Sequence, residues 1–292
     1  MSNYIIFTDS ACDLPNEIIE KLDIKYLSLI CNFKGKEYFE DGGISLPYKN
    51  FYNALRNNED LPTTSQINFF RFKTAFEPYV KNNQSIIYIA FSSSLSGTYN
   101  SANLAKNDLL AEYPNADITI IDSKSASCGQ GLLVYKAALM KNEGSCKEDI
   151  IKWVEKAKLN VCHFIAVDNL EHLKRGGRIS STSATIGSIL GIKPLINVNN
   201  NGELKNFGKV KGRKKAIKTL SDYVNKHITN IKDQTIFISH GDCYEDAKYL
   251  ANMIKENNNI KNIIINYLGL VIGAHTGPDM LAVFFLGDNR EP

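Results

Sequence analysis

Short apolar runs alternate with helix-spaced segments through the first half of the chain. Tyr4 to Thr8, Ile24 to Ile30, Ile86 to Phe91 and Ile118 to Ile121 are strand candidates. The third of these, Ile-Ile-Tyr-Ile-Ala-Phe, shows no polar alternation, as expected of a strand buried on both faces of a parallel sheet. Between the runs lie helix candidates. Asp13-Leu14-Pro15 opens one that reaches about Leu22, with Pro15 where a first helical turn tolerates proline. Others are Pro47 to Arg56, Ile67 to Val80, a helix starting near Thr98, Gly129 to Met140 and Lys147 to Leu159. Cys31 to Gly43 is polar and Gly-bearing and reads as a hairpin. Alternating strand and helix predicts a parallel sheet with helices on both faces.

The pattern changes near Val161. Strand candidates follow at Cys162 to Val167, Lys193 to Val198, Glu203 to Val210, Gln234 to Ser239, Asn262 to Leu268 and Met280 to Leu286, with Asn201-Gly202 as a hairpin turn. Asn169 to Lys174, Thr185 to Leu190, Arg213 to Ile228 and Glu245 to Glu256 read as helices, and Gly269 to Pro278 as a Gly-rich loop. A hairpin followed by a βαβ pattern predicts a mixed sheet. The expected architecture is therefore α/β in two domains: residues 1–160 with a parallel sheet and a serine-rich turn, and residues 161–292 with a mixed α/β sheet.

Composition narrows the function classes. With 292 residues, 43% hydrophobic and 22% charged, the chain is of ordinary globular make-up. A net charge of only +3, without a basic tail, argues against nucleic acid as a partner. No apolar run approaches the ~20 residues that span a bilayer. The first residues lack the charged and apolar regions of a signal peptide, and six scattered cysteines form no CxxC pair; both point to a cytoplasmic protein with reduced thiols. No nucleotide-binding, metalloprotease or nucleophile-elbow motif is present, so no catalytic residue, metal site or cofactor is expected.

Binding groups are plentiful by contrast. Strand ends carry Thr8-Asp9-Ser10, Ser92-Ser93-Ser94 and Asp122-Ser123, and such ends share one edge of an open sheet. The turn Ser92 to Gly97 leads into a helix N-terminus, whose free N–H groups suit a carboxylate or a phosphate; its serines serve equally as caps. Thr63-Thr64-Ser65 either caps the helix from Ile67 or donates to a bound acid. His275 lies in a Gly-rich stretch where backbone can approach a ligand closely. Lys209 to Lys215 and Arg175 to Arg178 are basic runs, either solvated or facing an acidic partner or a phosphate.

Taken together in this order, Thr8-Asp9-Ser10 with Asp13-Leu14-Pro15, Pro62-Thr63-Thr64-Ser65-Gln66, Ser92-Ser93 with Leu95-Ser96-Gly97-Thr98, Asp122-Ser123, Leu173 with Gly176-Gly177-Arg178-Ile179-Ser180, Lys193-Pro194, Lys211 with Arg213, and Gly273 to Pro278 make a sequence that resembles the DegV family over nearly its whole length. These are bacterial fatty-acid-binding proteins that serve as lipid-binding subunits of fatty acid kinase. The resemblance implies a long-chain fatty acid held between two domains. Its carboxylate would be met by Thr63, Thr64, Ser92, Ser93, Ser96 and Gly97, with His275 close by. A separate ATP-binding kinase subunit would phosphorylate that carboxylate, with Arg178, Lys211 and Arg213 facing the kinase or the phosphorylated head. Phe91, Ile189, Leu190 and Leu268 to Ile272 are candidate tunnel residues. Three positions depart from the family pattern: Asp279 and Ala282 stand where glycines are common, as does Ser94, and a carboxylate at 279 would repel an anionic head if it pointed inward. Two other readings remain: a small-ketone phosphotransfer subunit that binds dihydroxyacetone-like substrates through His275 or His240, and a lipid-sensing regulatory protein.

Overall fold

In the computed structural model, which describes residues 4–180, 191–257, 260 and 262–292, the buried runs of the first half pair as a parallel sheet. The elements in order are β1 (Tyr4–Asp9), α1 (Asn16–Lys21), β2 (Lys25–Leu27), β3 (Ile30–Phe33), β4 (Lys36–Phe39), α2 (Tyr48–Arg56), β5 (Thr63–Ser65), α3 (Phe69–Lys81), β6 (Ser85–Ala90), α4 (Thr98–Glu112), β7 (Ile118–Asp122), α5 (Cys128–Asn142) and α6 (Lys147–Ala157). The four-stranded sheet runs β2-β1-β6-β7, every pair parallel. Helices α3 and α4 pack on it, as does α5.

The second half contains β8 (Val161–Ala166), α7 (Glu171–Arg175), β9 (Ile192–Val198), β10 (Leu204–Lys211), α8 (Arg213–His227), β11 (Thr235–His240), α9 (Tyr244–Asn257), β12 (Asn262–Tyr267), α10 (Leu270–Thr276) and β13 (Leu281–Leu286). Its six strands lie in the order β10-β9-β8-β13-β11-β12. Only β11 and β12 are parallel, so the sheet is mixed, as expected. A core including Phe164, Leu220 and Leu250 joins α8 and α9 to this sheet. A larger core runs continuously from Ile6 and Ile87 through Leu133 of α5 to Phe237 and Phe284, so α5 is packed between the two sheets.

Three expectations are corrected. Ile24 to Ile30 is not one strand: it breaks at Ser28 and Leu29, and Ile30 begins β3 in a small separate sheet, β4-β3-β5. The Leu29 N–H donates to Ser10 Oγ at 2.8 Å, so a side chain takes a donor that a continuous ladder would need. Thr63 to Ser65 does not cap a helix. It is the strand β5 on β3, and the cap of α3 is Asn68, which accepts from the Arg71 N–H at 3.0 Å. Gly269 to Pro278 is not a loop but holds α10. The buried carboxylates of Asp13 and Glu40 accept the N–H groups of Gly269 and Leu270 and so cap that helix from the other half of the chain. The expected helix at Thr185 to Leu190, with the tunnel candidates Ile189 and Leu190, lies outside the described residues. The expected hairpin does form: β3 and β4 join through Lys34 and Gly35, both with positive φ (49° and 72°), as a type I′ turn demands.

Arg56 at the end of α2 ties the halves together. It donates to Asp242 at 2.5 Å and to Asp279 at 2.8 Å, and these carboxylates in turn hold its guanidinium firmly protonated. An Arg56→Ala change leaves both acids without their cation. It is expected to lower the unfolding free energy by about 1–3 kcal/mol in urea titration. A loss below about 0.5 kcal/mol would show that solvent already screens the cluster.

Candidate functional site

A cavity of about 390 Å³ opens between the two sheets. Its apolar wall is built from Leu29 and Phe91 on one side, Ile165 and Phe284 of the mixed sheet, and Val271 and Ile272 of α10. Phe91, Val271 and Ile272 are the tunnel candidates found there; Leu268 and Leu270 pack in the core instead. Polar side chains interrupt this wall. Thr64 of β5 meets His275 of α10, Oγ1 to Nε2, at 2.8 Å. Ser96 stands just before α4. Arg178 follows α7, its Nε donating to the Leu95 carbonyl at 3.1 Å and its Nη1 to the Gly176 carbonyl at 2.6 Å. All four border the cavity.

The electrostatics of these groups are unusual. Burial pushes the Arg178 guanidinium downward, and it forms no ion pair among the described residues. The His275 imidazole is pushed down to about 4, chiefly by burial, then by the nearby guanidinium groups of Arg178 and Arg175. It is therefore neutral at physiological pH. Its Nδ1 is buried without a partner among the described residues, and the backbone of Gly176 packs against it; a Cβ there would lie 2.1 Å from that nitrogen. The arrangement offers a desolvated cation, a neutral imidazole and hydroxyls beside an apolar hollow. Such a set favours an amphipathic anion: the cation gains an ion pair in low dielectric, and the hydroxyls donate to the anion's remaining lone pairs.

The other expected residues lie elsewhere. Thr63 is exposed on β5. Ser92 is buried, but its hydroxyl donates to the Gly202 carbonyl at 2.8 Å. Ser93 is exposed; its N–H donates to Asp122 Oδ1 at 3.2 Å and its Oγ accepts from Lys124 at 3.1 Å. Gly97 precedes α4 and faces Gln66, whose Oε1 would lie 2.1 Å from an added Cβ. None of these four borders the cavity. Lys211 is exposed at the end of β10, and Arg213 opens α8, bound to Asp246 at 2.7 Å. Both lie away from the cavity, whereas Arg178, expected beside them, is in its wall. Asp279 points to Arg56, not inward, so its carboxylate does not oppose an anion in the cavity.

Gln66 and Thr276 also line the hollow, residues whose part there no pattern in the sequence marks. Gln66 donates to Ser101 Oγ at 3.1 Å and fills the space left by Gly97. A glutamine in a turn carries no signal of that kind. The strand-end turns do meet along one sheet edge, but largely to satisfy one another. Asp9, fully buried and pushed upward by desolvation, accepts from Tyr88 OH at 2.7 Å and from the Phe91 N–H at 2.9 Å. His240 is buried beside Tyr267, its Nδ1 accepting from the Cys243 N–H at 3.2 Å, and does not reach the cavity. No group of three or more potential metal ligands occurs among the described residues, and no helix among them is long and apolar enough to cross a membrane.

Comparison with known proteins places this geometry in context. The family model described as "Uncharacterised protein, DegV family" matches residues 3–288. A DegV domain-containing protein of Clostridium perfringens is 56% identical over 292 residues, the whole of both chains. Among solved structures, DegV of Bacillus subtilis, named as a fatty acid binding protein, is 31% identical with a TM-score of 0.86, covering 99% of this chain and 100% of that one. A stearic-acid-binding protein of Eubacterium ventriosum is 26% identical with a TM-score of 0.83, covering 97% and 98%.

Proposed function

The chain belongs to the DegV family, and from the geometry of its cavity we propose that it binds a long-chain fatty acid. The tail fills the apolar hollow between the sheets, and the carboxylate lies against Arg178, Thr64, Ser96 and His275. The observation that carries this reading is Arg178, a half-buried cation with no ion-pair partner among the described residues, in the wall of a mainly apolar cavity. Fatty acid binding by the Bacillus subtilis and Eubacterium ventriosum proteins supports it. A tail of about 14 methylenes gains on the order of 11 kcal/mol on burial, at ~0.8 kcal/mol per CH₂, before the cost of ordering it. The tail thus supplies most of the affinity, and the polar groups select a carboxylic acid.

The family resemblance extends the proposal to presentation of the carboxylate to an ATP-using kinase subunit, which would form an acyl phosphate. Exposed Lys211 and the partly exposed Arg213 would then face that subunit. Adduct formation with a small ketone has less support. His240 is outside the cavity, Nε2 of His275 is engaged by Thr64, and Nδ1 is covered by Gly176, so neither ring nitrogen of His275 is free to attack a carbonyl.

The direct test is mass spectrometry of small molecules released on mild denaturation of protein purified from bacterial cells. A fatty acid at about one per chain is expected, and its chain length would name the tail. If no lipid is released, and none is retained after incubation with mixed fatty acids, the carrier reading fails.

A further inference from the structure

The β9–β10 hairpin reaches past the sheet to which it belongs. Strand β9 pairs with β8 only at Ile165↔Ile196 and Ala166↔Leu195. Directly across from that pairing, β10 has a bulge between Asn206 and Gly208. A bulge interrupts the ladder and bends a strand, so it marks where the hairpin departs from the sheet. Beyond it, Asn197 to Asn206 extends over the cavity, and Val198 and Leu204 form part of the cavity wall.

The tip of this segment is fastened to the opposite half. Ser92 Oγ donates to the Gly202 carbonyl at 2.8 Å and Ser94 Oγ to the Asn201 carbonyl at 2.6 Å. Contact is close: a Cβ on Gly202, which has φ +83°, would lie 2.3 Å from Ser92 Oγ. On the C-terminal side, the Asn200 N–H donates to Glu291 at 2.9 Å and Asn197 to the Arg290 carbonyl at 3.3 Å. We propose that Asn197 to Asn206 is a flap over the cavity, and that the hydroxyls of Ser92 and Ser94 are the latch that limits entry and exit of the acyl chain. This rests on the fatty-acid reading above. It gives Ser92 and Ser94 a kinetic role in place of a head-group role, which stays with Ser96: neither of the two borders the cavity, and both hydroxyls are spent on the flap. Breaking the latch frees two carbonyls that water can then solvate, so loss of these two bonds lowers the barrier to opening without leaving a polar group unpaired in the open flap. Because the latch touches no ligand atom, it acts on the barrier in both directions and not on the bound state.

The test is stopped-flow fluorescence with the polyene fatty acid cis-parinarate. Association is followed on mixing, and release is followed on chase with excess oleate. The Ser92→Ala/Ser94→Ala double variant is expected to raise both rates by about fivefold or more, with Kd within about twofold of the parent. Gly202→Ala, which presses on Ser92 from the flap side at a strained φ, is expected to do the same and keeps the test open if the double variant folds poorly. Unchanged rates in a folded variant would overturn the latch, as would a weaker Kd with association unaltered, the mark of a lost ligand contact. Failure of the parent protein to take up the probe at all would overturn the fatty-acid reading itself.

Discussion

Replacing Arg178 by glutamine is expected to weaken binding of palmitate by at least about 30-fold while changing binding of hexadecanol less than about threefold. The difference follows from charge. The guanidinium is half-buried and desolvated without an ion-pair partner among the described residues, so an entering carboxylate gains a pair that water does not already supply. Glutamine retains hydrogen-bonding capacity but no charge. The alcohol has the same tail and no charge to lose. Titration calorimetry with both ligands reads the two effects separately. Equal losses for acid and alcohol would mean that Arg178 acts through its bonds to Leu95 and Gly176, holding the wall in shape, and not through the head group.

A second large effect concerns pH. His240 and His275 are each pushed down to about 4 by burial. Between pH 4 and 6.5 the unfolded chain therefore binds protons that the folded chain does not, and stability rises with pH through that window. Each ring accounts for about 2 kcal/mol between pH 5 and pH 7. Asp13 and Glu40 act in the opposite sense. Burial raises both carboxyls, so the folded chain holds protons to higher pH than the unfolded one, and stability from these groups falls as pH rises. The histidine contribution is isolated by comparing the parent with a His240→Asn/His275→Asn variant. The variant is expected to lose about 4 kcal/mol less on acidification from pH 7 to pH 5, by urea unfolding at each pH. Parallel pH profiles would show that the two imidazoles protonate freely in the folded protein. A bound carboxylate opposes the shift at His275, so fatty acid is expected to protect most at the acid end of the range.

Local pattern carried much of the architecture. Ile86 to Phe91 has no polar face, so only a doubly covered strand accommodates it, and it lies second from the edge in the parallel sheet as β6. The Asn201-Gly202 turn was legible because Gly202 holds a positive φ, 83°, that few residues adopt. Family motifs carried the candidate site further than periodicity did, since Thr64, Ser96 and His275 are far apart in sequence and no spacing rule links them.

What stayed hidden depended on partners distant in the chain. Helix α10 was unreadable because its N-terminus is capped by Asp13 and Glu40, more than two hundred residues away, while local glycines suggest a loop. The serine turn announced donors but not their acceptors. Ser92 and Ser94 donate to the flap and Ser96 borders the cavity, a division set by where the β9–β10 hairpin lands. Arg178 reads as one more basic residue until the fold brings it beside His275 with no carboxylate among the described residues to neutralise it. By itself, then, the sequence determined most strands of the two large sheets, the helices with strong local signals and the parallel and mixed halves, because short-range sterics and burial periodicity encode them, and its motifs determined the family. The tertiary structure alone decided which hydroxyls face the cavity, which cation borders it without an ion pair among the described residues and which acids cap α10. Those depend on desolvation and distance between segments, quantities that a linear order of residues does not contain.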